Sequence, residues 1–96
     1  MELEELMKKI AEKYLEIDKK SGELFLFSVL VEEVGELAEA IRKKEISSIE
    51  EELTDVAFVV LCISNLFGIN IEKKIFEKYI VNDPSKRWDL PEYPIK

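Results

Sequence analysis

Histidine is absent from this 96-residue chain, and Cys62 is its only cysteine. Zinc sites built on histidine or paired cysteines, a disulfide within the chain, and Ser-His-Asp or Cys-His catalysis are therefore excluded. Glycine and proline number only three each, which excludes collagen-like and low-complexity sequences. With so few residues that break helices, the composition favours long helices over many short strands.

Basic residues are also in the minority, since 14 of them face 21 acidic residues and give a net charge of −7. This charge argues against binding to the phosphate backbone of a nucleic acid. The longest apolar run, Val56–Ile63, is far shorter than the ~20 residues of a membrane span, and no signal peptide is visible. We predict one domain, residues 1–96, in the cytoplasm, that binds neither nucleic acid nor membrane.

Apolar residues recur at helical spacing and predict an all-α, four-helix bundle-like fold. The helices are predicted at about residues 2–18, 23–44, 48–67 and 71–81, followed by an extended tail at 84–96. Ser47 and Glu50 form a candidate capping box at the start of the third helix. Gly68 is predicted to end that helix, and Asn70 to cap the fourth.

Each helix has residues that are predicted to face the core. In the second helix these are Leu30, Val34, Leu37, Ala38 and Ile41. In the fourth they are Ile71, Ile75, Phe76 and Tyr79. The third helix is apolar on nearly every side, which indicates either the central helix of a tight bundle or an interface between subunits.

Two pairs of acidic residues carry the functional signal. Glu33 and Glu36 are neighbours on one helical face, and the next helix repeats their spacing with Glu52 and Asp55. Because a short turn joins these helices, they are predicted to run antiparallel, with the four carboxylates converging. Such a cluster at a partly buried edge takes up protons or binds cations. An all-oxygen ligand set favours Mg²⁺, with Mn²⁺ as a substitute.

Mg²⁺ bound by few carboxylates takes phosphate oxygens as further ligands, so the metal would offset the charge of an anionic substrate. Late in the chain, Lys78, Asn82, Lys86 and Arg87 are candidates to hold phosphates. Candidates to stack on a base are Phe25, Phe27 and Trp88. The favoured interpretation is core packing for Phe25 and Phe27, and an anchor in the core or at an interface for Trp88.

The other acidic residues of these helices carry less information. Glu32 is either an outer metal ligand or a solvated side chain. Glu39, Glu50 and Glu51 are predicted to be solvated.

The pattern Glu32-Glu33-x-x-Glu36, followed by Glu52-x-x-Asp55, resembles the signature of the MazG family of all-α nucleoside triphosphate pyrophosphohydrolases. The longer segment 30–41, LVEEVGELAEAI, resembles that signature almost residue for residue. Later positions of the family pattern match Lys78, Asn82, Arg87 and Trp88.

The resemblance implies a homodimer or homotetramer that hydrolyses a nucleoside triphosphate to the monophosphate and pyrophosphate, with nucleotide pool cleaning as one role. It implies Mg²⁺ bound by the residues that match the motif, Glu33, Glu36, Glu52 and Asp55. One carboxylate, Glu33 or Glu36, would also orient or deprotonate the attacking water.

Two alternatives stay open. Phosphoribosyl-ATP pyrophosphohydrolase of histidine biosynthesis has a similar length and fold, although the position of Gly35 between Glu33 and Glu36 favours the MazG family. A non-catalytic helical interaction module would instead leave the acidic residues solvated and use the apolar third helix for docking.

Overall fold

The computed structural model of the chain describes residues 1–83 and 88, and these residues form helices and no strand. The first two helices are α1, Leu3–Ser21, and α2, Glu23–Lys43. They are followed by α3, Ile46–Leu66, and by α4, Ile71–Ile75, which continues as a π-helical turn, Phe76–Ile80. The all-α prediction is confirmed. The tail predicted at 84–96 lies outside the described residues, apart from Trp88.

α1 ends three residues later than predicted, because the chain leaves the helix only at Gly22. Gly22 has a φ of +92°, a conformation that favours glycine, and its N–H donates to the Asp18 carbonyl at 2.8 Å. Lys19 and Lys20, which lie beyond the predicted end of the helix at residue 18, form its last turn. Their positive charges suit the negative end of the helix dipole.

The prediction of a capping box at Ser47 and Glu50 is wrong, because α3 begins at Ile46 and both residues lie inside the helix. Glu45 is the N-cap residue, with an extended backbone. Only Lys44 and Glu45 therefore separate α2 from α3, and Lys44 turns the chain with a φ of +58°. Such a short connection makes α2 and α3 an antiparallel hairpin.

The end of α3 and the start of α4 follow the sequence prediction. Gly68 adopts a φ of +66° just after α3, and the Ile69 N–H donates to the Ser64 carbonyl at 2.8 Å. Asn70 caps α4, since its side-chain oxygen accepts from the Lys73 N–H at 3.1 Å.

α3 is the central helix of the described residues and packs against both α1 and α2. On the α1 side, the Tyr14 and Phe58 rings meet edge to face with centroids 5.0 Å apart. The Asn65 side-chain amide donates to the Met7 carbonyl at 2.9 Å. Val59 and Cys62 are buried at this centre. This arrangement agrees with the central-helix interpretation of the apolar third helix.

The core-facing residues predicted for α2 are only partly right. Leu30 and Leu37 are half-buried, but the fully buried residues are Leu26 and Ala40. The rest of the predicted set is exposed: Val34, Ala38 and Ile41. α2 carries two apolar faces, and the prediction took residues from both.

Several aromatic and apolar residues predicted to be inside are also exposed. α4 and its π-helical turn pack against few residues of the other helices, so Ile75, Phe76 and Tyr79 are exposed. The prediction that they face the core is therefore wrong for the single chain. Phe25 and Phe27 are more than half exposed, so core packing was the wrong interpretation for them as well.

Within the described residues, no single helix is both long and apolar enough to cross a membrane. Taken together, α3 and the helix that starts at Ile71 would be long and apolar enough by length and composition alone. The two helices are bent by 111° at their junction.

The contact between Asn65 and Met7 gives a first test of this packing. Replacing Asn65 by alanine removes a part-buried hydrogen bond between helices and should lower the free energy of unfolding by about 1 kcal/mol. Thr54→Ala is the matched control, because it removes a hydrogen bond within α3, to the Glu50 carbonyl. The control should change stability by less than about 0.5 kcal/mol in urea unfolding. Equal losses in both variants would contradict the packing of α3 on α1.

Candidate metal centre between α2 and α3

Three carboxylates meet where α2 packs against α3. Glu33 and Glu36 lie one turn apart on α2, and Glu52 projects from α3. One oxygen from each side chain lies within 4.8 Å of the other two. Oxygen ligands of a single Mg²⁺, each about 2.1 Å from the ion, are at most about 4.2 Å apart. Small side-chain rotations would therefore bring all three residues onto one ion.

The cluster has a buried side and an open side. Glu33 and Glu52 are half-buried, whereas Glu36 is exposed. One oxygen of Glu52, Oε2, is buried and has no hydrogen-bond partner among the described residues. A buried carboxylate oxygen without a donor is costly. A cation would supply the missing partner, so the residues present fit a divalent metal ion.

The charges of the cluster change the pKa values of its members. Burial raises the pKa of Glu33, and the negative charges of Glu36 and Asp55 raise it further. Burial, followed by the charge of Glu36, also raises the pKa of Glu52. The side-chain interaction between these two carboxyls raises the pKa of Glu33 further and partly offsets the rise in the pKa of Glu52. Without metal, the cluster thus retains protons that ordinary surface carboxyls release.

Asp55, the fourth predicted ligand, lies beside the cluster. It is half-buried, and its charge raises the pKa of both Glu33 and Glu52. Its oxygens do not belong to the group within 4.8 Å. The structure therefore brings three of the four predicted ligands together and places the fourth close by, so metal binding by Asp55 stays a prediction.

The remaining acidic residues of α2 and α3 lie apart from this group. Glu39 is on the exposed surface, with its carboxylate 3.7 Å from both Arg42 and Lys43. Glu32 is exposed and outside the cluster. Two further exposed residues are Glu50 and Glu51. Their placement agrees with solvated side chains.

Cys62 lies in the core and takes no part in the cluster. Burial, together with the charge of Asp18 and a hydrogen bond to it, raises the pKa of the thiol to about 12. A thiol with such a pKa is protonated at neutral pH and is a poor metal ligand. The donor set of the described cluster is therefore made of oxygen alone.

The predicted phosphate-binding residues lie in the π-helical turn and beyond it. The Lys78 ammonium group is 5.5 Å from the centroid of the Tyr79 ring. The Asn82 side-chain amide donates to the Lys78 carbonyl at 3.1 Å. Both contacts are local to the π-helical turn and the residues that follow it. Lys86 and Arg87 lie outside the described residues, and Trp88 is more than half exposed.

The raised pKa values predict how the metal-free protein responds to pH. Above the ordinary glutamate pKa of 4.5, the native state binds more protons than the unfolded state at Glu33 and Glu52. The free energy of unfolding should therefore decrease as the pH rises from 4.5 through the raised values. Glu52→Gln removes one of the charges, so this decrease should become shallower.

Urea unfolding in EDTA, repeated across this pH range, measures the slope. Glu39→Gln is the matched control, because Glu39 lies on the exposed surface of α2, and its slope should equal that of the wild type. An unchanged slope in Glu52→Gln would contradict repulsion within the cluster.

Comparison with known proteins gives an independent result. Residues 21–86 match the family model of the MazG nucleotide pyrophosphohydrolase domain. The matched region contains α2, α3, α4 and the four predicted metal ligands. A comparison with curated proteins gave no match. Because the matched region covers well over half of the sequence, the chain belongs to the MazG nucleotide pyrophosphohydrolase domain family.

Proposed function

We propose that this protein is a Mg²⁺-dependent pyrophosphohydrolase that converts a nucleoside triphosphate to the monophosphate and pyrophosphate. Family membership indicates a nucleotide substrate and pyrophosphohydrolase activity in general. The observation that carries the specific proposal is the cluster of Glu33, Glu36 and Glu52, with the unpartnered, buried Oε2 of Glu52.

The proposed metal ligands are the three clustered glutamates, with Asp55 beside them as a fourth. When bound, Mg²⁺ offsets negative charge on the phosphate oxygens and lowers the pKa of a coordinated water, and Mn²⁺ is a suitable substitute. Exposed Glu36 marks the open side, where the triphosphate has access to the cluster. Half-buried Glu33 and Glu52 fix the other side.

In the proposed reaction, a water oxygen attacks the α-phosphorus and forms a new P–O bond. The bond from the α-phosphorus to the bridging oxygen breaks, and pyrophosphate leaves with the electron pair. One α2 carboxylate, Glu33 or Glu36, orients the water and accepts its proton. We assign Lys78, Asn82 and Arg87 to the phosphates, where positive charge and hydrogen-bond donors offset the repulsion from a chain of net charge −7.

We further propose that the protein works as a homodimer or homotetramer in the cytoplasm, where nucleoside triphosphates are available, with nucleotide pool cleaning as its role. The support for self-association is the large number of apolar side chains that a single copy leaves exposed. We also propose that the protein binds neither nucleic acid nor a membrane.

Product analysis tests the proposed reaction. Incubation of the protein with a panel of nucleoside triphosphates and Mg²⁺ should release monophosphate and pyrophosphate, which chromatography separates. Glu36→Gln should lower kcat/KM by about 100-fold or more, since even residues that only support a metal ligand contribute 10–100-fold. Glu39→Gln is the control on the same helix and should keep wild-type activity, because Glu39 forms ion pairs with Arg42 and Lys43 on the exposed surface.

Other products would point elsewhere. Diphosphate with orthophosphate would contradict attack at the α-phosphorus. Turnover of phosphoribosyl-ATP alone would identify the alternative enzyme of histidine biosynthesis. No turnover of any nucleotide in the panel, phosphoribosyl-ATP included, would contradict the enzyme proposal.

Metal binding can be tested separately from turnover. Mg²⁺ binds the native cluster and not the unfolded chain, so it should stabilise the fold by about 2.7 kcal/mol at a concentration of 100 times Kd. The melting temperature of the wild type and of Glu39→Gln should rise, whereas that of Glu52→Gln should not respond. A wild-type melting temperature that is the same with and without Mg²⁺ would contradict the metal site and favour a non-catalytic interaction module.

A further inference from the structure

α2 carries a second apolar face that the fold of a single copy does not cover. Spacings of three and four residues alternate along it, and we call this set the outer stripe: Leu24, Phe27, Val31, Val34, Ala38 and Ile41. All six residues are exposed, and the five large ones are between 47% and 80% accessible. Alternation of three and four is the heptad spacing by which one helix packs along another.

The outer stripe is separate from the carboxylate cluster. On a helical wheel of about 100° per residue, its centre lies about 130° around α2 from Glu33. Leu26 and Ala40, which are buried, share the face of Glu33 instead. A helix that docks on the outer stripe would therefore leave the packing of α2 on α3 and the carboxylates in place.

We propose that the outer stripe binds the outer stripe of a second copy, with the two α2 helices antiparallel. This pairing specifies the face, the direction and the register of self-association, and it does not depend on the catalytic proposal. With the two-fold axis between positions 32 and 33, Leu24 faces Ile41 of the partner subunit. Val31 then faces the partner's Val34.

Side-chain size supports this register. The antiparallel pairing places Phe27, the largest side chain of the stripe, against the partner's Ala38, the smallest. Large against small fills the space between two helices at the density of a protein interior. A parallel pairing would instead place Phe27 against its own copy and Ala38 against its own copy, which crowds one layer and leaves a void in another.

Charge supports the same direction. Glu23 precedes the stripe, and three basic residues follow it: Arg42, Lys43 and Lys44. In the antiparallel pair, Glu23 of each copy lies beside the basic end of the other, and the helix dipoles oppose one another favourably. A parallel pair would bring the two basic ends together. The stripe is therefore complementary to itself in one direction, which favours a second copy over a lipid surface or an unrelated helix as the partner.

Sedimentation equilibrium tests whether the stripe is the interface. The wild type should have at least twice the monomer mass of 11.2 kDa. Val31→Lys combined with Val34→Lys places charges at the two-fold axis and should give a smaller assembly that retains its helical circular dichroism. Ile17→Lys is the control, since Ile17 is an exposed apolar residue of α1, and it should keep the wild-type mass.

A monomeric wild type, or an unchanged mass in the double variant, would overturn the proposal. Loss of mass in the Ile17 control as well would also overturn it, because the effect would not be specific to the outer stripe. Binding of the wild-type monomer to lipid vesicles would identify a membrane surface as the partner instead.

Disulfide formation tests the direction and does not require the double variant to fold. Phe27→Cys and Ala38→Cys are purified separately, mixed, and oxidised with oxidised glutathione. The antiparallel register predicts a covalent dimer in the mixture and little in either variant alone, because each new thiol faces the other position. Native Cys62 is buried, so the wild type should stay uncrosslinked. A covalent dimer of Phe27→Cys alone, or none in the mixture, would overturn the register.

Discussion

Repulsion among carboxylates that are partly removed from water is the constraint on which the rest of the structure depends. Glu33 and Glu52 are half-buried, and the negative charges of Glu36 and Asp55 raise the cost of ionising both. The ion pairs of the described residues involve Glu16 and Glu39, not these carboxylates. The metal-free fold therefore loses stability at this site, and packing elsewhere must offset the loss. A bound cation would turn this unfavourable contribution to the stability of the fold into a favourable one.

The hairpin of α2 and α3 is what holds the repelling groups together. Its turn has only two residues, Lys44 and Glu45, so the register between the helices is fixed within narrow limits. A shift of one residue along α3 would rotate Glu52 by about 100° away from the cluster. On the opposite side of α3, contacts with α1 hold the helix in place, among them the bond from Asn65 to Met7. The packing of α3 on α1 thus helps to determine where Glu52 lies relative to Glu33 and Glu36.

Most of the fold, and the convergence of the glutamates, could be predicted because helical periodicity and the three-residue spacing of acids are local. The buried face of α2 could not be predicted, because the helix has two apolar stripes and only its packing on α3 determines which stripe is buried. The buried residues are Leu26 and Ala40, whereas Val34 and Ile41 are exposed. The start of α3 was placed too late because the two-residue turn makes Ser47 helical. The exposure of Phe76 and Tyr79 in the π-helical turn could not be predicted either, because it depends on how little this segment packs on the other helices, which no local pattern specifies.

We propose that Glu33, Glu36 and Glu52 bind one divalent cation. The most direct test is a crystal structure of the protein grown with Mn²⁺, using anomalous scattering to locate the metal. We expect one peak between the three carboxylates, with Oε2 of Glu52 among the ligands and metal–oxygen distances of about 2.2 Å. No peak at this position, or Oε2 of Glu52 still buried without a partner in the presence of Mn²⁺, would contradict it.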